Sequence, residues 1–283
     1  MLGAGWIVAS FRQTALMLSA THIFSHIVKR EQIDTVHPST PDQFRPIRQS
    51  RRLHNTDVYA LYRAQDSTVH VLNVRPIWHN NEFDVAACCV YFPDETPADQ
   101  IFPYKFAIDS SPPKVGTPIA AITFANIKRS CNVDYDMKSM EGTLSYYIEH
   151  RQGNITDVYT ARNPAYRWPG FHSNIPFDSG MSGSPIINLT YDKQIVVCGI
   201  ISSDFSDNSE ATNKGVGCSF ATALWPAMMI QIDPGEFGIT GTGDVISLLD
   251  LERYRHIDDR AHASDHLHIG PEDEHGQATI TWR

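Results

Sequence analysis

The sequence predicts an all-β protein of the sandwich or barrel kind, on three observations. First, short runs rich in Val, Ile, Tyr and Phe recur along the chain, at residues 6–11, 15–20, 58–62, 69–74, 85–92, 118–124, 143–148 and 195–202. Second, turn-forming residues separate these runs, which is the pattern of an all-β sandwich or barrel set. Third, helical periodicity appears only late. Residues 221–232 contain Pro226, so any helix there is short or kinked. Residues 244–257 carry apolar Val245, Ile246, Leu248, Leu249, Leu251 and Tyr254, which fits an amphipathic helix.

The run Asp84-Val-Ala-Ala-Cys-Cys-Val-Tyr-Phe is apolar at every second position and also between them. A strand with two apolar faces belongs inside a closed barrel, because successive side chains point to opposite sides. A linker is legible at residues 106–116, where two prolines, two serines and a glycine fall between strand-rich halves. The expected division is therefore 1–112, 113–233 and 234–283. The last part holds the helix and a tail whose Asp, Glu and His content predicts loose order from about Asp258.

Composition narrows the function. The chain has 283 residues, 42% hydrophobic and 19% charged, with a net charge of −9. An acidic chain lacks the basic face that phosphate binding needs, so nucleic acid is not the expected partner. Neither a membrane span nor a three-region leader is expected from the first twenty residues, which Arg12 and Gln13 interrupt. The expected setting is cytoplasmic and reducing. Cys88, Cys89, Cys131, Cys198 and Cys218 form no CxxC pair, so they read as small buried hydrophobes. His262, His266 and His268 fix no coordination geometry, and no metal or cofactor is expected.

Three local patterns carry chemistry. In Asp178-Ser-Gly-Met-Ser182-Gly-Ser-Pro-Ile-Ile187, glycines flank a serine at a turn. Glycine lets the backbone fold tightly there, and the N–H groups of Gly180 and Ser182 can aim at one point to bind an oxyanion. A polar glycine turn feeding a strand is the plainer reading of the same residues. In Leu18-Ser-Ala-Thr-His22, a strand ends in small residues and then a histidine, a candidate general base. In Glu82-Phe-Asp84, an aspartate opens a buried strand, and a buried carboxylate needs a partner. Asp57 competes for this role. Asp84 is favoured because a β-rich segment precedes it.

The order His, Asp, Ser with these motifs resembles the chymotrypsin-like (trypsin-like) serine peptidases. The likeness spans about residues 3–224, and Gly180-Met-Ser-Gly-Ser-Pro185 is similar to bacterial and viral branches of that family. Val115-Gly-Thr-Pro-Ile-Ala-Ala-Ile122 resembles the segment that opens the second barrel. Cys198-Gly-Ile-Ile-Ser202 and Gly217-Cys-Ser-Phe-Ala221 resemble the strands around the specificity pocket. The resemblance implies two chymotrypsin-like antiparallel barrels followed by a C-terminal helical segment, and a serine endopeptidase that uses a catalytic triad. Ser182 would be the nucleophile, His22 the base and Asp84 its orienting partner, with the Ser202 hydroxyl supporting the aspartate.

Substrate contacts are implied at Pro176, Phe177, Ile201, Ser202, Ser203, Asp204 and Cys218. With Pro176 at the pocket base and Ile201 on its wall, the pocket should prefer an uncharged side chain. Two departures stand out. Nothing before Gly3 corresponds to the family's first strand, so the expectation is that the start is misplaced, another segment substitutes, or the N-terminal barrel is trimmed. Met181 replaces the acidic residue that pairs with a freed N-terminus in trypsin-like zymogens, so no such activation is expected. The rival reading is a catalytically inactive protease fold used for binding or scaffolding, since a fold does not fix a function.

Overall fold

A computed structural model describes residues 3–24, 50–53, 58–63, 69–80, 83–92, 102, 105–134, 139–160, 169–177, 180–202, 219–242, 245–274 and 277–282. Seventeen strands, three short 3-10 helices and two short α-helices are found among them. Each of the eight apolar runs read from the sequence lies on a strand.

The N-terminal sheet has six strands: β1 (Gly5–Ser10), β2 (Thr14–Ser19), β3 (Arg51–Leu53), β4 (Tyr59–Arg63), β5 (Val69–His79) and β6 (Ala86–Tyr91). They pair in the order β1-β2-β6-β5, with β3 and β4 both on β5. β6 explains its own two-faced sequence. Ala87 and Cys89 enter one apolar cluster, with Trp6, Leu16 and Trp78. Ala86, Cys88 and Val90 enter another, with Leu72, Val74 and Ile77. Cys88, Cys89 and Cys198 are free, buried thiols, and burial pushes all three well above the usual thiol range. Cys218 and the Cys131 side chain lie outside the described residues.

The second sheet contains β7 (Ala107–Ile108), β8 (Pro118–Asp134), β9 (Ser139–Tyr159), β10 (Gly170–Ser173), β11 (Pro185–Asn188), β12 (Val196–Ile201) and β13 (Ser219–Ala223). Their order is β11-β8-β9-β10-β13-β12, and β11 also pairs with β12. That extra pairing closes a six-stranded antiparallel barrel. Its interior holds Ile119, Ala121, Ile155, Phe171, Ile186, Ile201 and Ala221, and burial of each Ile or Phe side chain among them contributes about 1.5–3 kcal/mol. The architecture is all-β, a six-stranded antiparallel sheet beside a closed six-stranded antiparallel barrel.

Three expectations need correction. Residues 106–116 do not form an open linker. β7 pairs in parallel with β12, and Asp109 and Ser110 are buried. The late helices are shorter than the periodicity suggested. β13 runs on to Ala223, and Pro226 lies in a 3-10 turn, Trp225–Met229. Ile246 and Ser247 form β15, which pairs with β14 (Gln231–Ile232). The helix Leu248–Arg253 starts only where Ser247 and Asp250 form a capping box.

The tail is ordered. β16 (Leu267–Glu272) pairs with β17 (Ala278–Trp282), and Leu267, Ala278 and Ile280 join the central core. Buried Asp259 accepts from Ser110 N at 3.1 Å, Ala261 N at 3.1 Å, Ala263 N at 3.0 Å and the Ser110 hydroxyl. A carboxylate this well satisfied is stable when buried, and it ties the tail to β7. Polar residues between these anchors set the composition, which is why the average suggested disorder.

Candidate active site

His22 lies in the 3-10 turn Thr21–Phe24, directly after β2. Asp84 lies just before β6, the neighbour of β2, where Ser19 pairs with Ala86. Sheet register alone therefore brings the two together. The His22 Nδ1 and Asp84 Oδ2 atoms are 2.7 Å apart, and the His22 backbone N–H donates to Oδ1 at 2.9 Å. The Ser202 hydroxyl donates to Oδ2 at 2.5 Å. The aspartate side chain is 2% exposed and the histidine 20%. With Nδ1–H donated to the carboxylate, the imidazole keeps Nε2 as its basic nitrogen. Asp57 lies outside the described residues.

Ser182 is buried, in the turn before β11. Its carbonyl accepts from Ala4 N at 2.8 Å. The next residue, Gly183, has φ of +84°, and a Cβ there would lie 2.1 Å from Ala4 O, 2.8 Å from Ile23 Cδ1 and 2.8 Å from Ser19 Oγ. The serine turn of the barrel is thus pressed against the turn that carries His22 on the N-terminal sheet, with room only for glycine. Gly180 also takes a positive φ, +95°. Met181 is fully buried in the barrel core.

The residues expected to contact substrate are only partly brought to this point. Ile201 is buried in the barrel core. The Ser202 N–H is engaged by Phe220 O at 3.1 Å. Pro176 is exposed and its carbonyl accepts from Arg151 Nη1 at 2.5 Å. The half-buried Phe177 donates its N–H to Ser219 Oγ at 2.9 Å. Ser203, Asp204 and Cys218 lie outside the described residues.

Sequence reasoning missed Arg151 and Thr123. Arg151 carries a charge to the expected pocket base, where Glu149 Oε2 meets it at 2.7 Å. Thr123 accepts from the Ser184 hydroxyl at 3.1 Å and steadies the serine turn from the β8 side. Neither residue belongs to a local motif, so no signal in the sequence marked them.

No family model and no curated protein sequence matches the chain. Among solved structures, the chain is similar to Deg5, with a TM-score of 0.43 and 12% identity over 78% of each chain. It is also similar to Rv3671c from M. tuberculosis H37Rv in an inactive mutant form, with a TM-score of 0.40, 12% identity, and coverage of 78% of this chain and 75% of that one. A further structure of the Rv3671c protease, inactive form, has a TM-score of 0.38 and 14% identity over 78% of each chain. Among the described residues, no helix is long and apolar enough to cross a membrane.

Proposed function

We propose that the chain is a serine endopeptidase in which Ser182, His22 and Asp84 act as a catalytic triad. The observation that carries this reading is the His22–Asp84 pair, with its buried carboxylate held by three donors; the Ser182 turn bonds Ala4 and packs on Ile23, next to His22. In this reading the Ser182 hydroxyl attacks the scissile carbonyl carbon. Its proton passes to His22 Nε2 and then to the departing amine, leaving an acyl-enzyme that water hydrolyses by the reverse route. Asp84 keeps the imidazole in the productive tautomer and stabilises the imidazolium. The N–H groups of Gly180 and Ser182 would bind the oxyanion.

The end of β12 at Ser202, continuing into Ser203 and Asp204, would pair with the acyl half of an extended substrate by strand addition. Pro176, Phe177, Ile201 and Cys218 would shape the primary pocket. Glu149 offsets the Arg151 charge next to Pro176, which supports a preference for uncharged side chains. The reading divides the chain into residues 1–112 carrying the base, 113–233 carrying the nucleophile, and a C-terminal part, 234–283. A cleavage profile of denatured proteins, wild type against Ser182→Ala, tests it. Loss of the nucleophile should cost on the order of 10⁴–10⁶ in turnover. No cleavage by the wild-type chain would favour a scaffold role instead.

A further inference from the structure

β8 and β9 are far longer than the barrel needs. They pair continuously, apart from one bulge, from Pro118 and Asn154 out to Asp134 and Ser139. β11 covers β8 only at Ile119, Ala120 and Ala121, and β10 covers β9 only from Ile155 to Tyr159. Beyond those points, among the described residues, the outer edge of each strand has no strand partner. From residue 122 to 134 the free edge of β8 is about 40 Å long at roughly 3.3 Å per residue. Adjacent Tyr147 and Ile148 are 69% and 68% exposed. Neighbours on a strand point to opposite faces, so both faces of the arm are open at its root. A bulge between Ala125 and Lys128 bends it there.

The arm leaves the barrel beside the serine turn. In the sheet, β11 lies between β12 and β8. On the β12 side, Gly183 N donates to Ile201 O at 2.9 Å and Ile201 N donates to Ser184 O at 2.9 Å. On the β8 side, the Ser184 hydroxyl meets Thr123. Ser182 is therefore flanked by Ser202 on one side and by the first residues of the free β8 edge on the other.

We infer that the β8 edge of this arm binds the leaving-group half of the substrate as an added strand. The inference rests on the peptidase reading and specifies its substrate class: extended, unstructured polypeptide with several residues beyond the scissile bond. A chain paired at Ser202 through its acyl half crosses Ser182 and reaches Thr123. Its onward N–H and C=O groups then meet the unpaired row on β8. Short substrates with a small amine leaving group forgo these bonds.

The test uses two fluorogenic peptides with the same acyl half, one ending in a small aromatic amine and one continuing for six residues past the cleaved bond. In the full chain, kcat/KM for the extended peptide should exceed that for the short one by about tenfold, the worth of one or two net backbone hydrogen bonds. In a variant with residues 126–146 replaced by Asn-Gly, which closes the hairpin at the Ala125–Tyr147 pair, the ratio should fall to near one while phosphonate labelling of Ser182 is unchanged. An unchanged ratio would overturn the inference. Absence of labelling in both chains would instead overturn the peptidase reading. Hydrogen exchange on the full-length Ser182→Ala chain with the uncleaved extended peptide decides the matter even if the shortened chain does not fold. Protection of residues 122–134 is expected, and its absence there contradicts the inference.

Discussion

Replacing Gly183 by alanine puts a methyl group 2.1 Å from the Ala4 carbonyl oxygen and 2.8 Å from both Ile23 and the Ser19 hydroxyl. Ala4 is backbone, and the Ser19 hydroxyl already donates to Ala4 O at 2.6 Å, so neither can move alone. The left-handed backbone conformation costs an L-residue about 1–2 kcal/mol. Relief of the crowding adds about 1–3 kcal/mol. The sum, about 2–5 kcal/mol, is a large part of a typical stability of about 5–15 kcal/mol. Gly116 supplies the control, because its φ is +85° and a Cβ there meets nothing within 4 Å. Gly116→Ala should lose only the backbone part. Urea unfolding of both variants measures the difference, and the rate of phosphonate labelling reports whether the serine turn and the His22 turn still meet. If Gly183→Ala is no less stable than Gly116→Ala and labels at the wild-type rate, the docking of the serine turn on the His22 turn is wrong.

Asp84→Asn should lower turnover by about 10⁴, because the amide favours the wrong imidazole tautomer; steady-state kinetics against Asp57→Asn, expected to cost far less, checks the choice of acid. Ser202→Ala removes one of three donors to Asp84 and should cost about 10–100-fold in kcat/KM, the range for one hydrogen bond to a charged group. His172 packs between Tyr159 and Phe220, and burial lowers its pKa from 6.5 against the pull of Ser219 and Asp157. As pH falls through 6.5 the unfolded chain takes up this proton first, so stability declines until the folded-state pKa is passed and then levels. His172→Gln should flatten that decline, read from urea midpoints measured at several pH values on either side of 6.5.

Much of the fold was legible because core strands advertise themselves. β6 is apolar on both faces because its two faces enter two different cores. β8 and β9 were legible only in part. The runs 118–124 and 143–148 both read as strands, but their extension into one long paired hairpin is set by the β8–β9 pairing and not by either run alone. The tail was misread because a few anchors, Asp259, Leu267, Ala278 and Ile280, do the holding while the residues between them set the composition. The His22 and Asp84 motifs were legible through their position at the ends of strands, and sheet pairing supplies the contact between them. Thr123 meets Ser184 from the neighbouring strand and Arg151 meets Pro176 from β9, relations between segments distant in sequence that no local pattern encodes.

The proposed triad requires Ser182 to be an activated nucleophile. Incubation of the full-length chain with a peptidyl phosphonate, followed by mass-spectrometric mapping of the adduct, tests it most directly. A single adduct at Ser182, absent in His22→Ala, is the predicted result. Labelling at another serine, or no adduct in the folded wild-type chain, would contradict it.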